Sequence, residues 1–295
     1  MQACVIFNPS ARGEKAEVLC ARVRGLFPNC AWRRTNEAGH ARELAAEAAQ
    51  SGVQTIIAAG GDGTANEVVN GIADVPGALE AAHFGVLPLG TVNVFARELG
   101  LPLRLAEAAR VLQAGKTRVI DLGRVEYSDA GNPRQRFFIQ LAGAGLDSRA
   151  IELVQWGLKK KLGPLAYVVA GCKALREPQP LIVAHGQGAV SGQTVLIGNG
   201  RFYGGSFPVF PAADLQDGLL EVCVLPKVTL PRLLAAAPVL LTGLFDGLCP
   251  AVRLSLPSVT LTSASRVLLE VDGENACELP VTLSIRPQGL RVIVP

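Results

Sequence analysis

The chain has 295 residues, 49% of them hydrophobic and 18% charged, with a formal net charge of +3. This length suits two modest domains or one large one, and the low share of charged residues favours a well-buried globular protein. The small net charge excludes the strongly basic class that binds nucleic acid, and it permits only weak attraction to an anionic membrane.

Strand and helix signals alternate over residues 3–113. Apolar runs predict strands near residues 5–7, 31–34, 56–57 and 84–87. Periodic segments predict helices over residues 14–26, 39–50, 93–99 and 105–113, with a further helix that carries Val68, Val69 and Ile72. This alternation is typical of parallel strands joined by crossover helices, so a doubly wound α/β domain is predicted over residues 1–117.

The pattern changes after Gly115. Apolar segments separated by glycine and proline turns predict strands near residues 119–125, 136–140, 194–197, 219–225, 259–262 and 267–271. A mainly β domain is therefore predicted over residues 118–285, followed by a last apolar strand at residues 290–294.

The glycine-rich segment at residues 60–64 follows a predicted strand and precedes a predicted helix. Its sequence is Gly60-Gly61-Asp62-Gly63-Thr64, and Glu67 stands three residues after Thr64, which is the spacing of a helix capping box. Glycines allow positive φ and close backbone approach, so the helix N–H groups can face a phosphate. Asp62 is placed for Mg²⁺ or a ligand hydroxyl, and the alternative is an ordinary Asp-Gly turn.

With the flank Asn66-Glu67-Val68-Val69-Asn70-Gly71, this loop resembles the diacylglycerol kinase catalytic family of lipid kinases, which includes sphingosine and ceramide kinases. NAD kinases and phosphofructokinases share the Gly-Gly-Asp-Gly loop but not this flank. The resemblance extends from Asn8 to Glu274. It implies two domains with a lipid site in the cleft between them, and a C-terminal tail, residues 286–295, that returns to the first domain.

The resemblance implies ATP as cofactor and a nucleotide site whose residues follow the strands of the first domain. These residues are Asn8, Thr35, Gly60, Gly61, Gly63, Thr64, Gly90, Thr91 and, in a lysine triplet of the second domain, Lys159. Read without the family, Asn8-Pro9 is a strand-ending turn, Thr35 is a helix cap and the triplet is a solvated helix face.

The resemblance also implies the catalytic and metal residues. Glu274 of Asp272-Gly273-Glu274 would be the base for the lipid hydroxyl, and Asp62 would be the second catalytic acid. The implied substrate contacts are Glu67, Asn93 and Asp147. A structural Mg²⁺ would be held by Asp217 with the carbonyls of Asp214 and Leu219. For both Asp-Gly segments the alternative is a plain hairpin turn.

One residue departs from the family pattern. Many diacylglycerol kinases have an aspartate where this chain has Val94, although sphingosine kinases also have a small apolar residue there. Val94 therefore keeps open a nucleotide-responsive lipid-binding protein without catalysis. The other alternative to a lipid kinase is an NAD kinase-like enzyme, which the pair Asn66-Glu67 and the loop at residues 90–93 disfavour.

Cellular context follows from the same sequence. The seven cysteines are dispersed without a Cys-x-x-Cys pair, and the first residues form a predicted strand rather than a signal stretch. A cytoplasmic protein is therefore expected, with transient membrane contact, no nucleic-acid partner, and a homodimer left open. The apolar segment Leu233 to Phe245 is shorter than the roughly 20 residues that span a bilayer, so it is either a buried helix or an interfacial element.

Overall fold

The computed structural model describes residues 3–11, 16–153, 165–231 and 251–295. The chain divides into two compact units, the first formed by Met1–Leu122 with Pro287–Pro295 and the second by Gly123–Arg286. Lys159 and the segment from Leu233 to Phe245 lie outside the described residues, so the predictions for them stay predictions.

The first unit alternates strands and helices along the chain. Its strands are β1 (Ala3–Phe7), β2 (Ala31–Arg34), β3 (Thr55–Gly60) and β4 (His83–Pro88), and its helices are α1 (Ala16–Leu26), α2 (His40–Gln50), α3 (Asp62–Ala73), α4 (Ala78–Ala81), α5 (Val94–Glu98) and α6 (Leu105–Ala114), with a 3₁₀ turn at Pro9–Ala11. The strands pair in parallel in the order β2-β1-β3-β4, and the end of β16 (Val281–Ile293) pairs in parallel with β4. The predicted α/β class of this domain is confirmed.

The register of the parallel strands brings their carboxyl ends to one edge of the sheet. Phe7 pairs with Arg34 on one side and with Ala59 on the other, and Gly60 pairs with Pro88. Beneath this edge, Phe7 and Leu87 are fully buried, and burial of such side chains contributes about 1.5–3 kcal/mol each. The loops that follow the four strands are therefore anchored on a well-packed hydrophobic core.

The helix after the glycine segment begins earlier than the sequence predicts. Helix α3 starts at Asp62 and its N-cap is Gly61, so the predicted capping box between Thr64 and Glu67 is wrong. Because β3 already ends at Gly60, a single residue separates strand from helix. The predicted use of positive φ is also wrong at Gly60, Gly61 and Gly63, all of which lie outside the left-handed region. Gly60 is required for a different reason, since a Cβ there would lie 2.4 Å from Thr64 Oγ1.

The second unit is built mainly from antiparallel strands. Its elements are β5 (Thr117–Asp129), which begins in the first unit, β6 (Asn132–Phe138), β7 (Leu141–Gly145), α7 (Leu146–Leu153), α8 (Leu165–Ala174), β8 (Ile182–His185), β9 (Ala189–Gly192), β10 (Thr194–Gly198), β11 (Leu220–Leu225), β12 (Val252–Leu256), β13 (Ser258–Ser263), β14 (Leu268–Val271), β15 (Glu274–Glu278) and the start of β16. One sheet has the order β12-β11-β10-β7-β14-β15. In the other sheet, the start of β16 pairs with β13, β13 pairs with β8, and β8 pairs with β9. The predicted mainly β class is confirmed.

Strand β7 is central to the first of these sheets, yet its sequence, Leu-Ala-Gly-Ala-Gly, carries no strand signal. Its glycines are required by the atoms packed around them, side chains at Gly143 and backbone at Gly145. Gly145 has φ 96°, and a Cβ there would lie 2.2 Å from the carbonyl oxygen of Gln193. Close packing, rather than propensity, therefore determines this strand, and helix α7 follows directly from it.

Candidate active site

The residues predicted to bind nucleotide in the first unit come together at the carboxyl edge of its sheet. We call this region the nucleotide edge and define it as Asn8, Thr35, residues 60–64 and residues 90–93. Asn8 follows β1, and its Nδ2 donates to Thr64 Oγ1 at 2.9 Å, which joins β1 to the first turn of α3. Thr35 follows β2 and is buried, and its N–H donates to the carbonyl of Phe7 at 2.9 Å.

The two glycine loops of the nucleotide edge touch each other. The carbonyl of Gly60 accepts the N–H of Leu89 at 2.9 Å and the N–H of Gly90 at 3.2 Å. A Cβ on Gly90 would lie 2.6 Å from Gly61 Cα, so this approach requires glycine. Thr91 is exposed beside the contact. The first-turn N–H groups of a helix have no carbonyl partner within that helix, so the start of α3 is a position that favours anion binding.

Asn93, predicted as a substrate contact, shapes the second loop. Its Oδ1 accepts the N–H of Gly90 at 2.9 Å, and its Nδ2 donates to the carbonyl of Gly90 at 2.8 Å. Its φ of 55° places it in the left-handed region, where asparagine is among the tolerated residues. In the structure, therefore, its side chain holds the loop from Gly90 closed, and contact with substrate stays a prediction.

Asp62 lies at the start of α3 and faces the start of α5. Its Oδ1 accepts the N–H of Phe95 at 3.1 Å. Burial raises the pKa of its carboxyl group, while the backbone N–H groups of Val94, Phe95 and Asn93 act in the opposite direction. Val94 itself is buried at the first position of α5, so an apolar side chain packs where many family members have a carboxylate.

Glu67 has a partner that sequence reasoning missed. Its two carboxylate oxygens accept the N–H groups of Gly39 at 2.9 Å and of Ala41 at 3.0 Å, at the N-terminus of α2. Four residues further along α3, a Cβ on Gly71 would lie 2.1 Å from the carbonyl oxygen of Arg42, so glycine allows α2 and α3 to cross closely. The segment that carries the family resemblance thus joins two helices, and contact of Glu67 with substrate stays a prediction.

In the second unit, Asp272 and Gly273 form the turn between β14 and β15. Both have positive φ, 48° and 91°. The Asp272 carboxylate is buried and accepts three backbone N–H groups, from Ile139 at 2.8 Å and from Gln140 and Leu141 at 3.0 Å each. These three hydrogen bonds anchor the turn, and Glu274 follows it at the first position of β15.

Glu274, the predicted base, is half-exposed. Its Oε2 lies 3.2 Å from a guanidinium nitrogen of Arg136, and the side-chain accessibilities of the pair are 50% and 20%. An ion pair this exposed adds little stability, but it orients the carboxylate.

Asp147 lies in the first turn of α7 and contacts two residues that sequence reasoning missed. The hydroxyl of Tyr203 donates to its Oδ1, and Glu270 of β14 faces its other oxygen. Burial, and then the Asp147 charge, hold the pKa of Glu270 well above its usual range. The signal for Glu270 was an acid inside an otherwise apolar strand, Leu268-Leu269-Glu270-Val271. We define Asp147, Glu270, Asp272 and Glu274 as the acid cluster.

The predicted magnesium residues lie in an exposed turn before β11. Asp217 Oδ1 accepts the N–H of Leu219 at 2.9 Å, and the Asp214 carbonyl accepts the N–H of Asp217 at 3.4 Å. These bonds belong to a compact turn, but each carbonyl keeps a second lone pair. Within the described ranges, no group of three or more His, Cys, Asp or Glu side chains could hold a metal. An oxygen-only donor set of one carboxylate and two carbonyls would suit Mg²⁺, and metal binding by these residues stays a prediction.

Comparison with known proteins identifies the class. Residues 2–125 match the family model of the diacylglycerol kinase catalytic domain, and residues 140–294 match that of the YegS C-terminal NAD kinase beta sandwich-like domain. The chain therefore belongs to the diacylglycerol kinase catalytic family of lipid kinases, and it is a kinase that uses ATP. The predicted family and enzyme class are confirmed.

Individual relatives agree over nearly the whole chain. The chain is 33% identical to "Probable lipid kinase YegS-like" of Pseudomonas aeruginosa, over 99% of this chain and 93% of the relative. It is 30% identical to "Diacylglycerol kinase" of Bacillus subtilis, over 100% of this chain and 96% of that protein. The crystal structure of a diacylglycerol kinase from Bacillus anthracis has the same fold, with a TM-score of 0.77, 24% identity, and coverage of 100% and 97% of the two chains.

Proposed function

We propose that the chain transfers the γ-phosphoryl group of ATP to the hydroxyl of a diacylglycerol-like or sphingoid lipid. One observation supports this most directly. Every described residue predicted to bind nucleotide lies at one edge of one sheet, where Asn8, Thr35 and both glycine loops meet. Parallel sheets bind their ligands at this edge.

Phosphate recognition is assigned to the first turn of α3. Its N–H groups and the positive end of the helix dipole favour the negative charge of a phosphate. The small residues Gly61 and Gly90 leave the backbone accessible, and the hydroxyl of Thr64 is held by Asn8 Nδ2. Thr91, in the second loop, and Lys159 are the remaining residues proposed to contact the nucleotide.

Acceptor activation is assigned to Glu274. A general base must reach the hydroxyl whose proton it removes, and a half-exposed carboxylate at the start of a strand can do so. The hydrogen bonds from Ile139, Gln140 and Leu141 to the Asp272 carboxylate anchor the turn that carries Glu274. Asp147 is assigned to the polar headgroup.

Mg²⁺ is proposed as the divalent metal. When bound with the nucleotide, it would neutralise charge on the phosphates. Asp62 is its proposed acidic partner at the nucleotide edge. A separate structural Mg²⁺ is proposed at Asp217 with the carbonyls of Asp214 and Leu219.

We place the reaction at the cytoplasmic face of a membrane, reached by transient docking. Among the residues that the structure describes, no helix is long and apolar enough to cross a bilayer. The net charge of +3 would add slight attraction to anionic lipid. Activity at equal lipid concentration should therefore rise when the substrate is presented in vesicles that contain anionic lipid.

The decisive experiment is ATP turnover against a panel of lipids that includes diacylglycerol, ceramide and a sphingoid base, with NAD as a further acceptor. Phosphorylation of one or more lipids with γ-labelled ATP is expected. Turnover of NAD alone would favour the NAD kinase-like alternative. Binding of nucleotide and lipid without product, for the folded wild-type protein, would favour the non-catalytic alternative.

A further inference from the structure

Glu270 is an acid in the core of the second unit. It lies in β14 between Leu269 and Val271, and it is 1% exposed. Its Oε2 accepts the N–H of Gly273 at 2.8 Å, whereas its Oε1 is buried and receives no hydrogen bond from the described donors. A buried carboxylate oxygen without a donor is costly, so the arrangement requires an explanation.

Asp147 has the same deficiency on the facing side. Its Oδ1 accepts from Tyr203, but its Oδ2 is buried and has no donor in the described part of the chain. The two oxygens meet above Gly143. A Cβ built on Gly143 would lie 2.2 Å from Asp147 Oδ2 and 3.2 Å from Glu270 Oε1, so only glycine leaves room for them.

A single proton resolves both deficiencies. Two ionised carboxylates this close would repel each other, whereas one protonated carboxyl group donates its O–H to the other. Each carboxylate has one other donor among the described residues, the Tyr203 hydroxyl for Asp147 and the Gly273 N–H for Glu270, but Glu270 also faces the negative charge of Asp272. The proton therefore belongs on Glu270 and the negative charge on Asp147.

The other charged groups around the pair support this assignment. Among the described residues, the acid that faces Glu270 besides Asp147 is Asp272, which adds negative charge. The cation on α7, Arg149, is engaged by Glu152 and Glu177 and does not face the pair. Burial and these acids together raise the pKa of Glu270.

We propose that Glu270 is a positioning residue of the kinase, which keeps its proton at neutral pH, donates it to Asp147 Oδ2, and so ties the turn at Asp272 and Gly273 to helix α7. The proposal rests on the proposed function, in which that turn carries the base Glu274. The connection runs from Tyr203 through Asp147 and Glu270 to the N–H of Gly273. Asn275 Nδ2, which donates to the Ser148 carbonyl at 3.1 Å, is a second tie between β15 and α7.

The proton can be tested without any kinase assay. Because the pKa of Glu270 is higher in the folded than in the unfolded protein, folding binds a proton between those two values, and wild-type stability falls as pH rises through that window. In Glu270→Gln the amide donates permanently to Asp147 Oδ2 and its oxygen still accepts from Gly273. We expect the melting temperature of this variant to match that of the wild type at about pH 4, below the ordinary pKa of glutamate, and to exceed it at about pH 8.

The matched control is Glu221→Gln, which alters a buried glutamate that accepts from Ser255 Oγ at 2.5 Å, on another strand. The infrared band of a protonated carboxyl group at neutral pH should be present in the wild type and in Glu221→Gln, and absent in Glu270→Gln. Identical bands in all three proteins, or parallel stability profiles for wild type and Glu270→Gln, would overturn the proposal.

Kinetics then test positioning. Glu270→Gln should keep kcat within about twofold of wild type at neutral pH and should lack the alkaline fall in kcat expected of the wild type. Glu270→Leu, which has neither donor nor acceptor, should lower kcat by about tenfold or more with little change in KM for ATP. A loss in Glu270→Gln as large as in Glu270→Leu would show that the charge, rather than the proton, is required.

The two proposals fail separately. If no lipid is phosphorylated but the infrared band and the stability difference behave as described, the protonated pair stands and the proposed function is wrong. If a lipid is phosphorylated but the band persists in Glu270→Gln, the proposed function stands and the role of Glu270 is wrong.

Discussion

The nucleotide edge and the acid cluster hold their polar groups in contrasting ways. At the nucleotide edge, most contacts join neutral groups, such as Asn8 to Thr64 and Asn93 to Gly90, and Asp62 is its single acid. The acid cluster brings four carboxyl groups into one region of the second unit, and three of them accept buried or partly buried hydrogen bonds. The first region depends on backbone geometry, and the second depends on where protons and charges lie.

This contrast predicts different responses to removal of a charge. At the nucleotide edge, where most contacts are between neutral groups, removal of a charge should lower activity and leave the fold intact. In the acid cluster, removal of a carboxylate acceptor should lower the stability of the fold, because several N–H donors then lose their partner together.

Asp62→Asn should have the largest effect on activity. The variant keeps the shape of the side chain, so the fold should persist, but loss of the charge should lower kcat by about a thousandfold or more, since metal-assisted charge stabilisation supplies several kcal/mol. Because burial raises the pKa of Asp62, wild-type activity should also fall with decreasing pH at a higher pH than for an ordinary aspartate. Turnover should be compared with Asp74→Asn, an exposed ion-pair variant on the C-terminal side of α3. Activity of Asp62→Asn within about threefold of wild type would remove Asp62 from the mechanism.

Glu274→Gln should lower kcat by roughly 10²–10⁴, the usual contribution of a positioned general base. The KM for ATP should hardly change, because the side chain is assigned to the lipid hydroxyl. Glu278→Gln is the matched control, since Glu278 lies at the other end of β15 and pairs with Arg266. A variant with intact kcat and weakened ATP affinity would show that Glu274 is not the base.

Asp272→Asn should act on stability. An amide offers a single acceptor oxygen to three backbone N–H groups, so the free energy of unfolding should fall by about 2–4 kcal/mol. Denaturant titration measures the change, with Asp129→Asn at the exposed β5–β6 turn as the control. Equal stability of the two variants would mean that the buried carboxylate does not anchor the turn.

Asp217→Ala should have the smallest effect of these variants. It should change the melting temperature only when Mg²⁺ is present. A metal that binds only the folded state adds stability by mass action, so Mg²⁺ should raise the melting temperature of the wild type more than that of the variant. Asp129→Ala again provides the exposed control. An unchanged Mg²⁺-dependent shift in Asp217→Ala would contradict the structural metal site.

Much of the architecture was predictable because its signals are local. The alternation of apolar strands and periodic helices indicated the α/β unit, and β2 has the predicted bounds Ala31–Arg34. The Asp-Gly pair at residues 272–273 indicated the hairpin, since few other residues adopt the positive φ that such a turn requires. Family resemblance supplied the nucleotide residues, which the fold then collects at one sheet edge.

Only the tertiary structure decided which polar groups meet. Local spacing assigned Glu67 to its own helix, but the N-terminus of α2 lies closer, and the contact joins residues 28 positions apart. Glu270 was overlooked because its partner, Asp147, follows a glycine-rich strand without a strand signal. The pattern of residues along a chain determines which elements form, through backbone conformation and burial. The pairing of charges across the core depends on how those elements pack, and so does the protonation state of a buried acid.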